Sequence, residues 1–200
     1  MKGKLLSGAV GVTGLLALAA GIGALARGSM PTELSGVIHD YAPVAGSSGA
    51  TAWEVRGPWS LRLNEETGTA SFSAAVTMEL SVVGQSPTNV EGVVLAQHTH
   101  NITMKNATVT YNPANCPSAS ATTPPYTAQI EINGTASVFA NGSVAPFGQY
   151  SDLQVCIAGG KGDPSVPFSN VTLVFQKPAA GHFGAQPIHG VVRKANWGND

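Results

Sequence analysis

The stretch Trp59-Ser60-Leu61-Arg62-Leu63-Asn64, followed by Glu65-Glu66-Thr67-Gly68 and then Ala70-Ser71-Phe72-Ser73-Ala74-Ala75-Val76-Thr77-Met78-Glu79-Leu80, decides the fold class. Trp59, Leu61 and Leu63 alternate with polar residues, and so do Ala70, Phe72, Ala74, Val76, Met78 and Leu80. Side chains of a strand point to opposite faces in turn, so a period of two marks one wet face and one buried face. Two such runs joined by a short Gly-containing turn predict a long hairpin. A slip of one residue would move Leu61, Leu63, Phe72 and Val76 into water, so the pattern also pins the register.

The same alternation continues outward. It predicts further strands at 35–42, 51–57, 90–104, 106–111, 127–133, 135–140, 151–158, 170–176 and 187–193. Asn133-Gly134 and Asn141-Gly142 read as turns between them, because Asn and Gly accept positive φ cheaply. Gly57-Pro58 calls for a bulge or a barrel corner, since Pro cannot donate to a ladder. The Pro-, Ser- and Thr-rich segment 112–125 and the segment 159–167 read as surface loops. About ten short strands, with no helical stretch, predict an all-β antiparallel jelly roll, β-barrel or sandwich.

Composition agrees with this class. Charged residues are 10% of the chain, against ~25% in an average soluble domain, which is too few for the polar faces of helices. Met1-Lys2-Gly3-Lys4 is a short positive segment, Leu5 to Ala26 is apolar and uncharged, and Ala24-Leu25-Ala26 offers a small-x-small cleavage site. Residues 1–26 therefore read as a signal peptide, with an uncleaved anchor as the rival reading, and 27–200 as a single all-β domain. This predicts a secreted, periplasmic or cell-surface protein with no stable membrane span after cleavage. The exported chain carries eight basic residues, the ten of the full sequence less Lys2 and Lys4, against eleven acidic ones. It has no basic stripe, which argues against nucleic acid as a partner. Cys116 and Cys156 are expected to form a disulfide in an oxidising compartment.

The chemical lead is histidine. His98-Thr99-His100 places two imidazoles on one face of a strand, the face continued by Ile102 and Met104, whereas Thr99, Asn101 and Thr103 occupy the other. Two neutral imidazoles projected in parallel suit zinc or copper. His182 and His189, in a Gly/Pro-rich loop and at the start of the final strand, are the nominated further ligands. Two other readings stay open: a polar pocket without metal, and histidines that serve only the core. Asp40 and Glu54 are the nearest candidate acids for such a site, and both read equally well as solvated.

Gly92 followed after five residues by His98-Thr99-His100 resembles the first half of the cupin metal motif, which implies a jelly-roll barrel. The resemblance spans nine residues, and the family's following Glu is missing, since Asn101 to Lys105 contains no acid. Gly181-His182-Phe183 with His189-Gly190 is similar to the zinc loop of copper–zinc superoxide dismutases, although there the paired histidines lie close to that loop in sequence. No Gly-x-Ser-x-Gly elbow and no Walker spacing is present. Trp53 and Trp59 share the parity of Leu61 and are expected in the core, and Trp197 in the solvent. Five Asn-x-Ser/Thr sequons occur, at Asn101, Asn106, Asn133, Asn141 and Asn170. The expectation for function is an exported β-barrel or sandwich with a His-lined pocket, binding or acting on a small molecule, with zinc or copper as the candidate cofactor. The alternative is a non-catalytic extracellular structural, surface or assembly module without metal.

Overall fold

The computed structural model describes residues 30–43, 51–82, 97–117, 128–145, 147–159, 168–176, 178–183 and 186–197. The signal segment, and the part of the expected 90–104 strand before residue 97, lie outside these residues. Among the described residues there are nine strands: β1 (Pro31–Pro43), β2 (Thr51–Asn64), β3 (Thr69–Val82), β4 (His98–Tyr111), β5 (Ile130–Ala140), β6 (Ser143–Val144), β7 (Tyr150–Gly159), β8 (Phe168–Phe175) and β9 (Ile188–Trp197).

All pairings are antiparallel, and β4 pairs with β5 to close the sheet on itself. Eight strands thus form a barrel, and the two-residue β6 hangs on β5 as an extra hairpin arm. Apart from that arm, each strand pairs with its neighbours in sequence, and β9 returns to β1. Of the alternatives in the sequence reading, the topology is therefore a meandering barrel. The crossing connections of a jelly roll, which the cupin resemblance implied, do not occur among these strands. Closure leaves no unpaired sheet edge between the eight strands.

The 59–80 hairpin forms in the expected register, with Leu61 opposite Phe72 and Leu63 opposite Ala70. Leu61, Leu63, Phe72, Val76 and Met78 are buried in the barrel, and full burial of such a side chain is worth ~1.5–3 kcal/mol. An eight-stranded barrel is only wide enough for its inward side chains to fill it, or to hold one small ligand. Here the middle is filled by Leu34, Trp59, Phe72, Met104, Ile132 and Leu153.

Three local expectations need correction. Asn133-Gly134 is not a turn but lies inside β5, which joins the two strands expected at 127–133 and 135–140. The glycine allows close packing there, since a Cβ would stand 3.0 Å from the Met104 sulfur and 3.2 Å from the Ala107 Cβ and those neighbours would have to give by a few tenths of an ångström. The strand expected to break near 105 is likewise one strand, with an extra residue against both neighbours and Asn106 at φ 52°. At Gly57-Pro58 the bulge, one of the two readings, does not form: Arg56 faces Thr77 and Trp59 faces Ala74, so the register is unbroken. Gly57 lets β3 approach instead, since a Cβ would lie 2.0 Å from the Ala75 carbonyl oxygen.

Asn141-Gly142 is a true turn, both residues having positive φ, 48° and 77°. Cys116 and Cys156 are bonded, with Cα atoms 5.7 Å apart. The bond pins the segment after β4 to the outer side of β7, where both cysteines pack with Ala128. Closing a loop of 40 residues contributes up to ~4 kcal/mol in the chain-entropy account. Trp59 is buried as expected, whereas Trp197 is half-buried against Phe168, with ring centroids 6.2 Å apart.

Candidate metal centre

One end of the barrel gathers the start of β2, the end of β3, the start of β4, the β5–β6 turn and the segment after β8. His98 and His100 stand on β4 at this end, opposite Met78 and Val76 of β3. Strand alternation turns both rings inward, as parity predicted: His100 is fully buried and His98 half-buried. The turn of β5 holds the peptide between them. Asn141 Oδ1 accepts from the Thr99 backbone N–H at 2.9 Å, and the Asn141 N–H donates to the Thr99 carbonyl at 2.9 Å. The sequence marked Asn141 only as a turn residue and sequon, and its second role is visible only once β4 and β5 are neighbours.

The third ring arrives from outside the strands. After β8 the chain makes a short 3-10 turn over Ala179–Gly181, with His182 closing it. Ala179 and Phe183 are buried, and Phe183 stacks on Phe175 of β8 with centroids 4.2 Å apart. Gln176 ties the start of the segment to β7, its N–H donating to the Asp152 carbonyl and its carbonyl accepting from the Ser151 hydroxyl, each at 2.9 Å. Phe183 therefore works as an anchor that seats the half-buried His182 in the barrel mouth. His182 Nε2 lies 3.1 Å from Nε2 of His98 and 2.9 Å from Nε2 of His100.

The three ligand atoms lie within 4.8 Å of one another. The edge of a tetrahedral zinc site, with Zn–N bonds of ~2.0–2.1 Å, is about 3.3 Å. Two of the three separations, 3.1 and 2.9 Å, already lie near it. Without an ion the arrangement is frustrated, because His182 Nε2 carries either one proton or one lone pair but faces two nitrogens. It can make one well-directed hydrogen bond, not two. Nδ1 of His100 is buried without a hydrogen-bond partner.

Electrostatics keep His100 and His182 neutral. Burial first, then the neighbouring His182 and His98, pushes His100 down to about 3. The Phe139 backbone works weakly the other way without reaching hydrogen-bond geometry. Burial and then His98 push His182 down to about 4. Neutral imidazole is the form that binds metal. Aromatic rings surround the triad: Trp53 meets His98 edge-on at 5.0 Å, Phe147 lies 5.0 Å from His182, and Phe183 lies 5.1 Å from His100. Among the described residues no carboxylate or thiolate joins the three histidines as a ligand.

His189 is not brought to this group. It points outward between inward Ile188 and Gly190, and its Nδ1 and backbone N–H both meet Asp40 Oδ2, at 2.9 and 2.8 Å. Glu54 pairs with His39 and Arg56 on the outer wall. Both acids noted in the sequence are thus engaged elsewhere. No family model, curated protein or solved structure matches the chain.

Proposed function

We propose that the protein is an exported β-barrel that holds a zinc or copper ion on Nε2 of His98, His100 and His182 and presents it to a small molecule. The observation that carries this reading is the convergence of three imidazole nitrogens in a buried, aromatic-lined mouth. His182 Nε2 can share one proton with only one of its two neighbours in a well-directed bond, whereas a cation between the three nitrogens satisfies them all. The absence of thiolate from the cluster suits the borderline metals that imidazole prefers. Three neutral ligands leave one coordination position for water or substrate, the pattern of sites that activate bound water or polarise a bound group. The disulfide fits an oxidising compartment, in line with export.

Metal analysis of the purified mature protein tests this. About one equivalent of zinc or copper is expected after dialysis, lost to a chelator and regained on addition of the ion. The double variant His98→Ala/His100→Ala should take up none while keeping the far-ultraviolet β signature. Stoichiometric metal in that variant, or none in the wild type under any loading, would return the protein to the class of non-catalytic surface modules.

A further inference from the structure

The triad is not surrounded evenly. His100 is at the bottom, fully buried, and His98 and His182 are its half-exposed members. A ligand from solvent therefore meets the centre between those two rings, on the side away from His100. Each is flanked by a half-buried aromatic residue, His98 by Trp53 and His182 by Phe147.

Charge completes the picture. A divalent ion on three neutral imidazoles keeps its full double charge, and among the described residues no acid joins the triad to offset it. Asp40 is held by His189, and Glu54 and Glu79 are paired with His39 and Arg56 on the outer wall. In a mouth lined by Phe147, Phe183 and Trp53 the uncompensated charge is poorly screened, which raises the value of an anionic fourth ligand. An anion that also carries a flat apolar group gains contact with the rings on either side of the entrance.

We propose that the open position takes a small aromatic carboxylate, its carboxylate on the metal and its ring between Trp53 and Phe147. This rests on the metal reading above and goes beyond it in naming the ligand class. The site's own chemistry separates the members of that class: acetate offers the charge without the ring, and benzyl alcohol the ring without the charge.

The test uses the mature protein loaded with cobalt(II), whose visible bands report on its ligands, titrated with benzoate, acetate and benzyl alcohol. Benzoate should shift the bands and bind about tenfold more tightly than acetate, the ratio expected from one good ring contact. Benzyl alcohol should leave the bands unchanged. Phe147→Ala lies outside the strands and should keep the cobalt spectrum while the benzoate-to-acetate ratio falls towards one; Trp53→Ala should do the same. Intact cobalt bands that benzoate does not move would overturn this inference and leave the metal centre standing. Equal binding of acetate and benzoate, or equal binding of the alcohol, would overturn the aromatic-carboxylate assignment. Failure of the wild type to develop cobalt bands would remove the metal reading and this inference together.

Discussion

Two groups of histidine at the same end of the barrel show opposite chemistry. Inside, His98, His100 and His182 face one another, and burial and mutual repulsion hold His100 and His182 well below the ordinary imidazole value. Outside, His189 rests on Asp40; the hydrogen bond and then the charge of that carboxylate raise it, against the effect of burial. A proton satisfies the outer pair, because a carboxylate is there to receive it. In the inner cluster His100 and His182 resist a second proton, and three converging nitrogens suit a cation. Strand parity separates the two roles: Ile188 and Gly190 turn inward on β9, so His189 cannot.

The largest effect should come from exchanging one ring in each group. His182→Ala removes a ligand from the inner triad, and the protein should lose the metal on dialysis. His189→Ala should retain the wild-type stoichiometry. Elemental analysis of the two variants side by side decides this, and metal loss from His189→Ala would break the separation drawn between inside and outside.

Next in size is the anchor that brings His182 in. Phe183→Ala empties a fully buried site stacked on Phe175 and should cost ~3–5 kcal/mol in denaturant unfolding of the metal-free protein. It should also weaken metal binding, although no ligand is altered. A variant with the full stability loss but unchanged affinity would show that His182 is positioned by something other than Phe183.

The antiparallel all-β class was legible because alternation is a local pattern; closure, which joins β1 to β9 across the domain, is not local and left barrel, jelly roll and sandwich open. The parity of residues 59–80 and of His98-Thr99-His100 carried over without change. What misled was glycine. At Asn133-Gly134 the residue pair that makes turns elsewhere serves a close approach between β4 and β5, a tertiary demand that a strand-by-strand reading lacks. The third histidine of the cluster was legible only as one of two nominees. In the sequence His189 sits among Ile188, Gly190, Val191 and Val192, where apolar residues of both parities blur the face. Phe147, and the role of Asn141 beside β4, were not legible, because both depend on a turn folding back beside that strand.

Acid should separate the two groups by sign. His100 and His182 titrate lower in the folded protein, at about 3 and about 4 against a reference of 6.5. Between those values and 6.5 the unfolded chain binds more protons, so stability of the metal-free protein falls as pH drops through that range. Each ring contributes a slope of at most ~1.4 kcal/mol per pH unit, and less for His182, which is partly solvated. Denaturant midpoints of chelator-treated protein from pH 7 to pH 4 should decline, and His100→Gln should flatten the decline. An unchanged slope in that variant would mean that the buried ring is not the source.

The smallest effect belongs to the outer pair. Asp40 is held below its reference of 3.8: burial raises it, but hydrogen bonds from the His189 ring and from the His189 and Tyr41 backbone N–H groups, with the His189 charge, outweigh that. A depressed carboxylate stabilises above its unfolded value and loses that contribution as pH falls through its folded one. The raised His189 does the reverse, stabilising below 6.5 and losing its contribution as pH rises through its higher folded value. The pair therefore contributes most between the two references, roughly pH 4 to 6.5. Asp40→Asn keeps an oxygen that can accept a backbone N–H and removes the charge. With the His189 side chain 54% exposed, solvent screening limits the cost to less than ~1 kcal/mol. The difference between wild type and Asp40→Asn should peak near pH 5–6 and shrink at pH 9, with metal content unaffected at every pH where the wild type is loaded. A difference that persists undiminished at pH 9 would assign the contact to hydrogen bonding alone, and a loss of metal would place Asp40 in the service of the triad.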